Sequence, residues 1–240
     1  SMPQTGDNVA RKYNITREEA DKFAANSQAK YQAAKQAGFF DDEITPITVS
    51  QGKKLPPKDI TEDEHPRASS TVDALQKLKP LNNDGIVTAG NASGINDGAA
   101  ALIIGSAQAE KMLGFKPIAK ILSSGAVGVE PNIMGVGPVD AIKLALKRAD
   151  LTLDDMSIIE INEAFASQVL GCLKGLDLDF DDKRVNPNGG AIAVGHPLGA
   201  SGARIALSTA RELQRTGGKY AVVSLCIGIG QGLAMVIERV

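Results

Sequence analysis

The reading of this chain turns on the stretch Asn188-Gly-Gly-Ala-Ile-Ala-Val-Gly-His-Pro-Leu-Gly-Ala-Ser-Gly-Ala-Arg204. Five glycines surround His196, and the segment runs straight into a helical pattern at Gly202–Arg215. Glycine admits backbone conformations and close approaches that any side chain blocks, so this run beside a histidine reads as a wall against which a substrate lies. Outward from it the chain alternates. The pattern predicts strands at Ile118–Ser123 and Ser157–Ile161, each followed by a helix, Val139–Ala149 and Glu163–Lys174. After the glycine-rich stretch and its helix come strands at Tyr220–Leu225 and Leu233–Glu238. Alternating units with a closing hairpin make an α/β layer.

The first half has a different character. Thr16 followed by Glu19 fits a capping box, and Ala20, Phe23, Ala24, Tyr31 and Ala34 recur at helical spacing up to Gly38. Together they predict one helix from Arg17 to Ala37. Ile44 to Val49 alternates like a strand, and Gly52 to Pro66, with its prolines and mixed charge, reads as an exposed excursion. Ser70 to Leu78 reads as a short helix capped by Ser70 or Thr71, and Gln108 to Leu113 as another, ended by Gly114. Between them, Thr88-Ala-Gly-Asn-Ala-Ser-Gly-Ile-Asn-Asp-Gly-Ala is small enough to lie against a ligand. The apolar run Ala100–Ile104 that follows is expected to be a fully buried strand.

Composition narrows the function classes. At 240 residues and 43% apolar content, the chain can bury one large core or two modest ones. Its 26 basic and 28 acidic residues leave a net charge of -2, with no basic face for nucleic acid. No apolar run is long enough for a bilayer, so no membrane partner is expected. Cys172 and Cys226 lack metal-ligand spacing and read as free thiols in a reducing compartment, for which the cytoplasm is the expected location, and no metal site is expected. The glycines at 195, 199 and 202 do not make a dinucleotide fingerprint, and no strand leads directly into them.

Three stretches carry a family resemblance: Asn162-Glu-Ala-Phe165, Gly195-His-Pro-Leu-Gly199 and Cys226-Ile-Gly-Ile-Gly-Gln-Gly232. In that order and spacing they resemble the thiolase family, and Met2–Arg11 and Thr88–Ala101 resemble its middle region. The resemblance implies a thiolase-like α/β fold. Its C-terminal βαβαβαββ half would have a mixed sheet and helices, preceded by a mostly helical loop domain. Residues 1–94 would be a loop domain covering coenzyme A, 95–116 would complete the N-terminal half, and 117–240 would be the C-terminal domain. It also implies exchange of acyl groups between coenzyme A thioesters, with coenzyme A and acyl-CoA as substrates, no cofactor, and a homo-oligomer.

Thioester exchange needs a thiolate, a base to generate it, an acid/base for the α-carbon proton, and donors for two oxyanions. By resemblance, His196 activates the nucleophile, Cys226 moves the α-carbon proton as a low-pKa thiol, and Asn162 holds a water in the first oxyanion site. The N–H of Gly228 donates in the second. Ser93 would touch the pantetheine arm, Met134 and Phe165 would line the acyl pocket, and Arg67 would lie near the nucleotide end. The family's nucleophilic cysteine belongs to a first third to which no stretch here corresponds. That segment is therefore an expected partner, and the chain alone is expected to be inactive, with the strand at Ala100–Ile104 left without its sheet neighbours. Cys172 lies ten positions past Asn162, about 15 Å along a helix, and reads as core.

Each residue also has a plainer reading. His196 could be a satisfied turn residue, Cys226 a buried structural thiol, Asn162 a helix N-cap for Glu163 onward, and Arg67 a solvated charge. A non-catalytic acyl-CoA or lipid-binding module of the same fold is the alternative function.

Overall fold

The computed structural model describes residues 1–52 and 54–240; Lys53, within the predicted excursion, lies outside the described residues. Two helices open the chain, α1 (Met2–Tyr13) and α2 (Arg17–Gln36). α2 has the predicted capping box, with Thr16 and Glu19 satisfying each other's backbone N–H groups. α1 was not among the predicted elements. Pro3 in its first turn, Asn14 as a left-handed stop at φ 50° and the buried face Val9–Ala10 define it.

A small exposed hairpin, β1 (Ile47–Val49) with β2 (Lys58–Ile60), follows. Its first strand starts three residues later than expected, because Pro46 has no N–H for the ladder. α3 (Val72–Gln76) is capped by Thr71, and α4 (Ala107–Leu113) by Ser106, with Gly114 at φ 69° ending it. Between these helices the expected buried strand is absent. Ala100–Ile104 pairs with no strand, and Ile103 and Ile104 are 89% and 74% exposed. Burial of a strand needs ladder partners for its backbone, and the described residues provide none there.

The second half contains β3 (Ala119–Gly128), α5 (Gly137–Ala149), β4 (Met156–Ile161), α6 (Ala166–Gly175), α7 (Ala191–Val194), α8 (Ser201–Thr216), β5 (Tyr220–Ile227) and β6 (Gln231–Arg239). The sheet order is β3-β6-β5-β4, with β4 and β5 parallel and the other pairs antiparallel. This is the mixed α/β sheet the sequence predicts, with one correction: the third strand of the βαβαβαββ pattern is a single bridge, Val185 to Ile159. Pro187 lacks a ladder donor, and the Asn186 side chain takes over the pairing. Its Oδ1 accepts from the Ile161 N–H at 2.8 Å and its Nδ2 donates to the Ile161 carbonyl at 2.9 Å.

Both faces of this sheet are covered. Ile159, Ile161, Val222 and Val236 pack with Ile142, Leu146, Val169 and Leu173 of α5 and α6. Their neighbours Ile158, Ala221, Val223 and Ile237 point the other way, onto Ile205 and Leu213 of α8. Successive strand residues thus enter opposite cores, which is why these strands read as continuous apolar runs. Each large side chain so buried contributes about 1.5–3 kcal/mol, and together they fix the ends of β4 and β5 against α8.

Candidate functional site

The parallel strands β4 and β5 deliver two of the three motifs side by side. The Asn162 N–H, one residue past β4, bonds to the Ser224 carbonyl at 2.9 Å, which sets Asn162 beside the end of β5 that carries Cys226. Strand ends in such sheets are where α/β proteins place their chemistry. Asn162 does not cap a helix: α6 starts at Ala166 with Phe165 in the cap position. The turn Asn162–Phe165 is held by an isolated bridge from Ala92 to Phe165 and by the Ser93 N–H on the Ala164 carbonyl at 3.0 Å. Freed from capping, the Asn162 side chain is 99% buried, with its Nδ2 lying 3.3 Å from His196 Nε2 and its Oδ1 without a partner.

His196 is reached through α7, a short helix the sequence reading did not separate from the glycine-rich stretch. At Gly195, φ is 96°, and an added Cβ there would collide with the Asn96 side chain. Asn96 in turn accepts from the His196 N–H at 3.2 Å. On the imidazole's other side Ser201, in the first turn of α8, sits 2.6 Å from Nδ1. Its hydroxyl hydrogen is donated to the Pro197 carbonyl at 3.0 Å. The hydroxyl therefore accepts from Nδ1–H, and the Nε2 lone pair faces Asn162. Burial, and then the charge of Arg204, hold the His196 pKa below its ordinary value, so the ring is a neutral base at pH 7.

Cys226 is 8% exposed, and burial pushes its thiol up to about 12. This corrects the expectation of a low-pKa thiol. In this desolvated position the group is held as S–H, a proton donor rather than a standing thiolate. The turn after it differs from glycine to glycine. A Cβ at Gly230 would meet the Val129 carbonyl and one at Gly232 the backbone of Gly137, so both are needed for close packing. Gly228 faces open space within 4 Å, leaving room for a ligand against its backbone. Ile229 between them has φ 72° and is 87% exposed, a β-branched residue in a strained conformation of the kind that gathers at functional turns.

The outlying residues divide. Ser93 and Phe165 are drawn together by the bridge at the Asn162 turn, and Met134 is buried in the turn before α5. Arg67 is exposed and its guanidinium closes on its own loop, donating to the carbonyls of Glu64, His65 and Pro66, while its N–H bonds Gln28. Cys172 is fully buried, donates to the Gly135 carbonyl at 3.3 Å and has its thiol pushed upward by burial, in keeping with a core residue.

Two residues of the site escaped sequence reasoning. One is Ser201, which fixes the tautomer of His196. The other is Glu163, wholly buried, whose carboxyl group receives Ser27 Oγ at 2.6 Å, Asn186 Nδ2 at 2.8 Å and the Ile192 N–H at 3.2 Å. It joins α2, the β4 turn and α7, and so ties the Asn162 segment to the one leading into His196; burial raises its pKa. A serine five positions after a histidine in a helix's first turn, and a charged residue after Asn162 in an apolar run, were the available signals. Among the described residues no group of three His, Cys, Asp or Glu side chains is placed to hold a metal, and no helix is long and apolar enough to cross a membrane.

An amide and a buried thiol at the ends of the parallel strands β4 and β5, with a neutral imidazole brought against the amide through α7, define an α/β protein whose strand ends gather groups able to exchange protons. Comparison with known proteins sharpens the class. The thiolase N-terminal domain matches residues 1–108 and the thiolase C-terminal domain matches residues 115–239, and the chain belongs to the thiolase family. It is 56% identical over its whole length to a β-ketoadipyl-CoA thiolase of Acinetobacter baylyi, covering 60% of that protein. It is 51% identical over 99% of its length to the mitochondrial 3-ketoacyl-CoA thiolase of Homo sapiens, covering 59% of it. A crystal structure of that human enzyme in complex with CoA superposes at a TM-score of 0.93, with 50% identity over the full chain and 59% of the enzyme. The Bacillus anthracis acetyl-CoA acetyltransferase superposes at 0.95 with 44% identity, covering 60% of that chain. The chain thus spans about three fifths of the relatives it matches.

Proposed function

We propose that this chain supplies the acid/base part of an acyl-CoA C-acyltransferase acting on 3-oxoacyl-CoA, and that it works together with a segment bearing a nucleophilic thiol. The contact of Asn162 with His196, with Ser201 fixing the far nitrogen, carries the reading. In this scheme His196 Nε2 takes the proton of the nucleophilic thiol, whose sulfur attacks the 3-oxo carbon. The imidazolium then donates to the developing oxyanion beside Asn162. The bond between C2 and C3 breaks, and the C2 carbanion takes the proton of the Cys226 thiol, leaving acetyl-CoA. Cys226 recovers a proton from incoming coenzyme A, whose sulfur attacks the acyl carbon and displaces the nucleophilic thiolate, which takes back the proton held on His196. Gly228 offers its N–H to the thioester oxygen, Ser93 and Phe165 border the pantetheine and acyl groups, Met134 lines the pocket, and Arg67 lies toward the nucleotide. Neither cysteine here serves as nucleophile, since Cys172 is fixed in the core and Cys226 is the acid.

The free thiols fit a reducing compartment, and coenzyme A, a second thiolase segment and further copies of the chain are the proposed partners. Cleavage of acetoacetyl-CoA by coenzyme A tests the reading, first with the chain alone and then with it joined to the N-terminal third of a relative. No turnover alone and turnover on joining is the expected outcome. Turnover by the chain alone would refute the need for a second thiol. None after joining, with acyl-CoA binding retained, would favour a non-catalytic binding module.

A further inference from the structure

The chain's second histidine, His65, stands outside the acid/base groups and yet reaches the backbone of the first. α7 makes its last helical bond from the Gly195 N–H to the Ala191 carbonyl at 2.8 Å, and Gly195, at φ 96°, turns the chain out of the helix. The next bond of a continuing helix would join the His196 N–H to the Ile192 carbonyl, four positions back. Here the two groups are parted, and each has other partners. The His196 N–H is shared between the Gly94 carbonyl at 3.3 Å and Asn96 Oδ1 at 3.2 Å. The Ile192 carbonyl accepts from Gln28 Nε2 at 3.2 Å and is hydrogen-bonded to the His65 ring. His65 and Asn96 then meet each other, with Asn96 Nδ2 3.5 Å from His65 Nδ1. Two side chains are thus inserted where one helical bond would close.

Both side chains are tightly held. A Cβ at Gly94 would strike the His65 ring, and one at Gly195 would strike Asn96. The loop that presents His65 is fixed from within by the Arg67 guanidinium on three of its carbonyls, and from outside by the Arg67 N–H on Gln28 Oε1 at 2.9 Å. Donor count then sets the roles. Asn96 Oδ1 is taken by the His196 N–H, so the amide nitrogen, which can only donate, faces His65; Nδ1 of His65 is therefore the acceptor and Nε2 carries the proton toward Ile192. Burial holds the His65 pKa below its ordinary value, in keeping with a neutral ring. We propose that His65, acting through Asn96, is a positioning residue that keeps His196 out of α7 and its ring on Asn162. The inference rests on the reading of His196 as the base of the site. Without the acceptor on His65, Asn96 is free to turn, and the His196 N–H loses one of its two partners.

Two substitutions separate this role from packing alone. His65→Asn puts an amide oxygen where Nδ1 stands and keeps the acceptor for Asn96, whereas His65→Gln reaches only the Nε2 position and keeps the Ile192 contact. Exchange of the His196 amide in the full chain is expected to speed up about tenfold in His65→Gln and to stay within about twofold in His65→Asn, with Val222 unchanged in both. In the chain joined to the N-terminal third of a relative, His65→Gln should lower kcat about tenfold at nearly constant KM for acetoacetyl-CoA, and His65→Asn should restore most of it. Asn96→Ala should reproduce the His65→Gln loss, and the double variant should be no worse than either alone. Should His65→Gln fail to fold, Asn96→Ala carries the same expectation. Unchanged His196 exchange in a folded His65→Gln overturns the proposal, as does an equal loss in His65→Asn or a kcat that holds while the exchange moves. The exchange readout needs no catalysis. A protein without acyl transfer whose His196 amide still follows residue 65 would retire the proposed reaction and keep this inference.

Discussion

Ala100–Ile104 and Tyr220–Ile227 are built from the same residue types and end differently. The first, Ala-Ala-Leu-Ile-Ile, lies unpaired with Ile103 and Ile104 largely in solvent. The second is hydrogen-bonded on both sides, to β4 and β6, with Ala221 and Val222 wholly buried. An apolar run states only that burial would be favourable; a strand forms where neighbours supply both the ladder and the opposing core. The site follows the same division, because Cys226 lies on a strand paired on both sides and Asn162 follows β4, which is laddered to β5. The exposed run lies in a stretch of unpaired chain that also carries Ile95 and Phe115 in solvent, at 101% and 66%.

The largest expected difference between the two runs is in amide exchange. Amides of Val222 and Val223 should be protected by a factor of about 10⁴ or more, near the global unfolding limit, and those of Leu102–Ile104 hardly at all. Comparable protection in both runs would show that 100–104 has found a partner in solution and would break the contrast. A smaller, energetic difference follows. Ile237→Ala opens a cavity between β6 and α8 at a residue 2% exposed and should cost about 2–5 kcal/mol in denaturant unfolding. Ile103→Ala should change stability by no more than about 0.5 kcal/mol. A large loss at Ile103 would place it in a core that these contacts do not contain.

How far the sequence could be read follows from the same physics. The alternation after Pro117 located every strand of the main sheet, most plainly β4 and β5, which are buried on both faces and leave continuous apolar runs. The capping box at Thr16 and Glu19 likewise marked its helix, since that signal is local. α1 was missed because its buried face is made of Thr5, Gly6 and Asp7 as well as Val9 and Ala10, and Asp7 is buried only by bonds to Asn82 and to the N–H groups of Ile86 and Val87. Such partners, some 75 positions away in sequence, leave no periodicity. The third strand dissolved into a bridge because the Asn186 side chain replaced its ladder. Within the site, His196, Asn162 and Cys226 stood out by motif, whereas Glu163 acts through contacts with Ser27 and Ile192 that only the fold creates, and Ser201 meets the His196 ring only because the turn into α8 folds it back. The thiol was misjudged for the same reason: its titration is set by burial, which the motif does not state.

The central claim is that Cys226 is the proton donor to the substrate carbon, in a site where His196 is the base. Deuterium wash-in at C2 of acetyl-CoA, followed by mass spectrometry, tests it in the chain joined to the N-terminal third of a relative. Cys226→Ala should lower the exchange by about 10²-fold or more while acylation of the nucleophilic thiol continues. Exchange at the unsubstituted rate in Cys226→Ala would contradict the account.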